Sequence, residues 1–81
     1  MKVILYSKTG CHWAADVREL LEERNVPYEE RNVTTHPEYA RELQAKSGEV
    51  KSPTLDIDGQ ILADAGVEDA AELLDEKGVA K

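Results

Sequence analysis

The sequence predicts an α/β domain, a four-stranded mixed sheet flanked by three helices in the order β-α-β-α-β-β-α. Three observations carry this. Short apolar or β-branched runs alternate with stretches whose apolar residues recur at helical spacing. Asp58-Gly59 sits between two strand-like runs, where it favours a tight hairpin. No repeat, linker or low-complexity segment interrupts the 81 residues, so one domain over 1–81 is expected.

Lys2 to Tyr6 reads as a buried strand ended by Ser7 and Gly10. The period then changes. Ala14, Val17, Leu20 and Leu21 recur at helical spacing, with Asp16, Arg18, Glu19, Glu22 and Glu23 on the other face. Asn25 can close this helix and Pro27 forbids its continuation. Pro27 to Val33 is a weaker, charged strand suited to a sheet edge. Joined through a helix, these two strands should be parallel with a right-handed crossover.

Thr35-His36-Pro37-Glu38 predicts a capping box, with Thr35 as cap and Pro37 in the first turn. Tyr39, Ala40, Leu43 and Lys46 run along the second helix, which Ser47-Gly48 ends. Ser52 to Ala63 forms the antiparallel hairpin. Within it Asp56 is awkward if both sheet faces are covered, so it is expected at a solvated edge. Asp64 or Gly66 opens a last helix through Val67, Ala70, Ala71, Leu73 and Leu74 to Lys77-Gly78.

The formal net charge is −7, which disfavours nucleic acid and anionic membranes as partners. Lys8, Lys51 and Lys46 can still form a local positive spot if the fold gathers them. Phosphate-loop and dinucleotide glycine patterns are absent. Two histidines and one cysteine, far apart, lack zinc-site spacing, so no metal is expected. The single cysteine excludes an internal disulfide and fits a reducing compartment. A strand-like run begins almost at Met1, without the n-region of a secretory leader, so the cytoplasm is the expected location.

That cysteine, Cys11, lies where strand turns into helix, in Ser7-Lys8-Thr9-Gly10-Cys11-His12-Trp13-Ala14. A thiol in the first turn of a helix faces unpaired N–H groups and the positive end of the dipole. Both favour the nucleophilic thiolate, and Lys8 adds positive charge. A lone cysteine is otherwise commonly buried and inert. Placement behind Lys-Thr-Gly and ahead of a helix favours the reactive reading.

With these elements in place, the chain resembles the glutaredoxin-like branch of the thioredoxin fold over essentially its whole length. The resemblance rests on the Val-Ile-Leu-Tyr-Ser-Lys-Thr-Gly-Cys opening, the Ser52-Pro53 step, the Ile57-Asp58-Gly59 hairpin and Ala65-Gly66-Val67-Glu68-Asp69. It implies Cys11 as nucleophile, Pro53 as a cis proline, and a groove for glutathione as co-substrate. Main-chain groups of Ser52 would pair with the cysteinyl part of glutathione. Lys8 and Lys51 would meet its carboxylates, and Gly66 and Asp69 its γ-glutamyl end. Trp13 takes the motif's aromatic position and His12 its proline position. Each of these has an ordinary alternative: surface lysines, a packed ring, a solvent-facing histidine, an aspartate complementing a helix dipole.

Two departures from the family pattern matter. Ala14 stands where a second, resolving cysteine is usual, so no intramolecular disulfide can form. Ala65 replaces the first glycine of a Gly-Gly step, and its methyl is expected to crowd the ligand. The first reading is therefore a monomeric monothiol oxidoreductase acting on glutathionylated proteins or small disulfides. A second is a glutathione-assisted [2Fe–2S] carrier, although the family's cluster-binding members carry Cys-Gly-Phe-Ser rather than Cys-His-Trp-Ala. A third is a redox-silent binding module that keeps the fold without the catalysis.

Overall fold

The first strand, β1 (Val3–Ser7), lies inside the sheet, and every one of its residues is buried. A computed structural model describes residues 1–79 and places after β1 the elements α1 (His12–Glu23), β2 (Glu29–Asn32), α2 (Pro37–Ser47), β3 (Thr54–Ile57), β4 (Gln60–Leu62) and α3 (Val67–Glu76). The sheet order is β2-β1-β3-β4. β1 runs parallel to β2 and antiparallel to β3, and β3 pairs antiparallel with β4. This is the predicted mixed sheet with its three helices, and β2 is the charged edge that its composition indicates.

Alternation along β1 divides the interior in two. Val3 and Leu5 join Leu55 and Ile57 of β3 beneath Val17 and Leu21 of α1 and Ala70, Leu73 and Leu74 of α3. Ile4 and Tyr6 point the other way, with Val33 and with Leu43 of α2. The second face has fewer apolar side chains. Polar groups complete it.

Asp56 lies on that second face. It is buried at 8% exposure rather than solvated, which corrects the sequence expectation. Lys46 of α2 explains the burial. Its Nζ donates to Asp56 Oδ2 at 2.7 Å and to the Tyr6 hydroxyl at 2.8 Å. Tyr6 in turn donates to Glu42 Oε1 at 3.0 Å, and Arg31 of β2 pairs with both Glu42 and Glu29. The Gly59 N–H completes Asp56 through Oδ1 at 2.8 Å. Burial opposes ionisation of Asp56, but the hydrogen bonds from Lys46 and Gly59 outweigh it and hold the carboxyl below its usual range. Among the described residues no buried side-chain nitrogen or oxygen lacks a partner. Lys46 is thus committed beneath α2 and takes no part in a positive spot with Lys8 and Lys51.

The start of α2 also differs from expectation. Its N-cap is His36, with no side-chain cap, while Pro37 occupies the first turn as predicted. The Asn32 side-chain oxygen accepts the N–H groups of Thr34 and Thr35 at 2.8 and 3.2 Å, forming a turn of its own. Thr35 is held in that turn and its hydroxyl meets His36 Nδ1 at 2.8 Å instead of capping the helix. The hairpin follows its sequence: Asp58 and Gly59 both take left-handed backbone, φ 52 and 89. No helix among the described residues is long and apolar enough to cross a membrane.

Lys46→Met should destabilise the fold by about 1–3 kcal/mol, because it strands the Asp56 carboxylate beneath α2. Asp56 has a depressed folded-state pKa, so the stability it contributes is full above the unfolded value near ~4 and fades as pH falls through the folded one. Urea unfolding should accordingly show a wild-type advantage over Lys46→Met that is largest near neutrality and shrinks in acid. An advantage independent of pH would contradict the pairing.

Candidate active site

The chain leaves β1 at Ser7 and turns into α1 through Lys8, Thr9 and Gly10. Gly10 takes φ 79, a left-handed value that side chains other than glycine resist. The Cys11 N–H closes the turn on the Lys8 carbonyl at 3.1 Å, and the Cys11 carbonyl accepts the Ala15 N–H at 3.2 Å. Cys11 is therefore the N-cap of α1 and lies half-buried.

Two contacts bring a distant segment to it. The Cys11 thiol donates to the Ser52 carbonyl at 3.7 Å, and the Lys8 N–H donates to Ser52 Oγ at 3.1 Å. The Ser52–Pro53 bond is cis, as the resemblance implies. On the other side the Thr9 N–H donates to Thr34 Oγ1 at 3.1 Å, and Asn32 Nδ2 donates to Thr9 Oγ1 at 3.2 Å. The turn that carries the thiol is held from both flanks.

Two clefts are built from residues of this region, and Cys11 lines the second. The first, about 450 Å³, is lined by Trp13, Pro53, Asp64 and Gly66. Trp13 is 68% exposed, so its ring is a wall of this cleft and not part of the core. The second, about 310 Å³, includes Cys11 with Lys8, Gly10, His12, Arg18 and Asn32. Arg18 is already engaged there: its guanidinium forks onto Glu30 at 2.6 and 2.7 Å. That fork holds the Glu30 carboxyl below the usual carboxylate range. Lys8 forms no ion pair among the described residues.

The structure thus places Lys8, His12 and Ser52 about the Cys11 thiol and groups Trp13, Pro53 and Gly66 in the other cleft. Lys51 is exposed beside Ser52, faces Glu49 at 3.6 Å and lines neither cleft. Asp69 borders a separate groove with Gln60, Leu62 and Leu73. Ala14 is fully buried, so the place of the family's usual second cysteine is filled by a packed methyl. Ala65 is also fully buried, and its N–H donates to the Pro53 carbonyl at 2.7 Å. Its methyl is therefore packed in the interior.

Sequence reasoning passed over Asp64, Arg18 and Asn32. Only Asp64 carried a usable signal, an acidic residue immediately before the Ala65-Gly66 step. Among the described residues no cluster of three or more His, Cys, Asp or Glu side chains is placed to hold a metal ion.

Chemically, a partly exposed thiol lining an open cleft suits attack on a disulfide. There the attacking, attacked and departing sulfurs come into line, so the open space is needed on the side from which the disulfide approaches. The family model for glutaredoxin matches residues 3–62. A crystal structure of a thioredoxin-like protein superposes with a TM-score of 0.82 at 29% identity, covering 89% of this chain and 99% of that one. The solution structure of glutaredoxin from Brucella melitensis gives 0.69 at 29% identity, covering 94% and 80%. A crystal structure of a buckwheat glutaredoxin–glutathione complex gives 0.67 over 98% and 81%, and at 18% identity that likeness is one of fold. A sequence search of curated proteins gave no match.

A small neutral alkylating reagent should modify Cys11 in the native protein at a rate that urea below the unfolding transition leaves unchanged. Mass spectrometry of quenched samples reads this directly. Labelling that begins only as the protein unfolds would mean that the thiol is sealed in the interior.

Proposed function

The chain belongs to the glutaredoxin family, and we propose that within it the protein acts as a monothiol oxidoreductase on glutathione mixed disulfides. The observation that carries this reading is the position of Cys11, partly exposed in a cleft with Lys8 and His12 and with its Sγ 3.7 Å from the Ser52 carbonyl. No second thiol exists in the sequence to compete with it.

The exchange proceeds in two displacements. Cys11, as thiolate, attacks the glutathione sulfur of a mixed disulfide. A Cys11–glutathione disulfide forms, the original S–S bond breaks, and the substrate leaves as a thiolate that takes a proton from water. A second glutathione thiolate then attacks the glutathione sulfur held on Cys11. Oxidised glutathione departs and Cys11 returns as thiolate. The cycle exchanges one disulfide for another: the substrate is freed as its thiol, one glutathione thiol is consumed, and it leaves joined to the glutathionyl group that the substrate carried.

The remaining residues hold the glutathionyl group. The Ser52 main chain lies alongside Cys11 and is available to pair with the cysteinyl portion of glutathione. Trp13 and Pro53 wall the cleft around its body. Lys8, and Lys51 at the margin, supply positive charge for its carboxylates. His12 is exposed beside the thiol and can shuttle protons for departing sulfur. Ala14 determines the outcome. Without a neighbouring thiol, only glutathione releases the intermediate, and an attack on a protein disulfide halts as a mixed disulfide. A reducing compartment rich in glutathione, such as the cytoplasm, is the setting in which this cycle runs.

Cys11→Ser should reduce turnover of a glutathionylated model disulfide to the uncatalysed background, measured by coupled reduction of the oxidised glutathione released. Ala14→Cys places a thiol three residues along, within reach of Cys11 on the same helix face. That variant should form an internal disulfide and release a trapped protein mixed disulfide without added glutathione. Wild-type rates in Cys11→Ser would reject the mechanism.

A further inference from the structure

We propose that Arg18 forms a carboxylate-binding subsite beside Cys11, and that it selects protein substrates with an acidic residue close to the glutathionylated cysteine. This rests on the reading of Cys11 as a nucleophile toward glutathione mixed disulfides. Arg18 lines the same cleft as Cys11, together with Lys8, His12 and Asn32. No acidic side chain lines that cleft, in a chain whose formal net charge is −7.

The Arg18 guanidinium is held in place with one nitrogen to spare. Nε and Nη2 fork onto the two Glu30 oxygens at 2.6 and 2.7 Å. Glu30 is itself anchored, because its Oε2 also accepts the hydroxyl of the buried Ser7 at 2.8 Å. The third nitrogen, Nη1, points away from a carboxylate bound in this way and forms no hydrogen bond among the described residues. It offers two N–H donors on a planar group that stays charged. A side chain already fixed by a fork loses less freedom on meeting an anion than a loose one does. Glu30 balances the charge of Arg18, and Lys8, which forms no ion pair among the described residues, leaves the cleft positive.

Position separates this subsite from the glutathionyl group, which the proposed function lays along Ser52, Pro53 and Trp13. The peptide that carries the departing sulfur then has the Cys11 cleft to itself. Arg18 lies seven residues beyond Cys11 on α1, about 10 Å along the axis, and helical side chains lean back toward the N-terminus. An extended peptide presents a side chain on one face every ~7 Å. A carboxylate two residues from the substrate cysteine therefore falls within reach of Arg18.

The test uses two glutathionylated peptides that differ only two residues from the cysteine, where one has Glu and the other Gln. In a two-displacement cycle, kcat/KM for the peptide reports the first displacement alone, and kcat/KM for glutathione the second. The wild-type protein should favour the Glu peptide by about 2- to 5-fold, as an exposed charge pair allows, and less at high salt. Arg18→Gln should remove that preference and change kcat/KM for the Gln peptide by less than about 1.5-fold. Because this variant leaves Glu30 without its partner, Arg18→Gln/Glu30→Gln is measured beside it, and the double variant should lose the preference equally. Equal wild-type values for the two peptides, a preference that survives in either variant, or an Arg18 effect confined to kcat/KM for glutathione would each overturn the assignment. Absence of wild-type turnover with both peptides is a different pattern, and it overturns the functional reading together with this inference.

Discussion

The antiparallel pairing of β1 with β3 is the constraint on which the site depends. Leu5 pairs with Leu55 and Tyr6 with Thr54, so the residues just beyond Tyr6 lie beside those just before Thr54. Ser7 leads into the Cys11 turn, and Ser52-Pro53 leads into β3. A thiol and a carbonyl 41 positions apart thereby meet at 3.7 Å. A one-residue slip would turn every β3 side chain to the opposite face, sending Asp56 into the apolar core and Leu55 and Ile57 toward the polar network under α2. Both are fully buried, and burying each contributes roughly 1.5–3 kcal/mol, so the core itself enforces the register that assembles the site.

The two sheet faces perform different tasks. Beneath α1 and α3 the packed core is apolar, as a small chain without disulfides requires, and the Arg18–Glu30 pair lies at its margin. Beneath α2, Lys46 joins Tyr6 and Asp56, while Glu42 joins Tyr6 and Arg31, so one network ties α2 to β1, β2 and β3. Such a network is directional where apolar contact is not. It fixes α2 over the sheet while the opposite face carries the helix that begins at the thiol. The loop between β2 and α2 then supplies Thr34, which holds the Cys11 turn from behind.

Much of this was legible in the sequence because it is local. A change of period marks each passage from strand to helix, Asp58-Gly59 marks the hairpin, and the charges of Glu29, Glu30 and Arg31 mark an edge. Cys11 stood out because its neighbours on both sides are boundary signals. What was hidden depends on how separate elements meet. Asp56 looked misplaced because its partner Lys46 belongs to another element, and no periodicity links the two. Thr35 looked like a cap because the competing side-chain acceptor, Asn32, lies three residues earlier in a strand. Asp64 and Asp69 likewise border different grooves, one just before α3 and the other on it, a division that sequence spacing does not reveal. Ala65 is the same case, since only the fold shows its methyl turned inward.

The account stands on the claim that a glutathionyl group on Cys11 lies along Ser52-Pro53 and against Trp13. The most direct measurement is NMR of the protein carrying that single mixed disulfide, made with isotope-labelled glutathione. The account predicts nuclear Overhauser contacts from the glutathione cysteinyl protons to Ser52 and Pro53, and from the tripeptide to the Trp13 ring and Gly66. Contacts confined to Lys8, His12 and Asn32, or a tripeptide that tumbles freely from its sulfur, would contradict it.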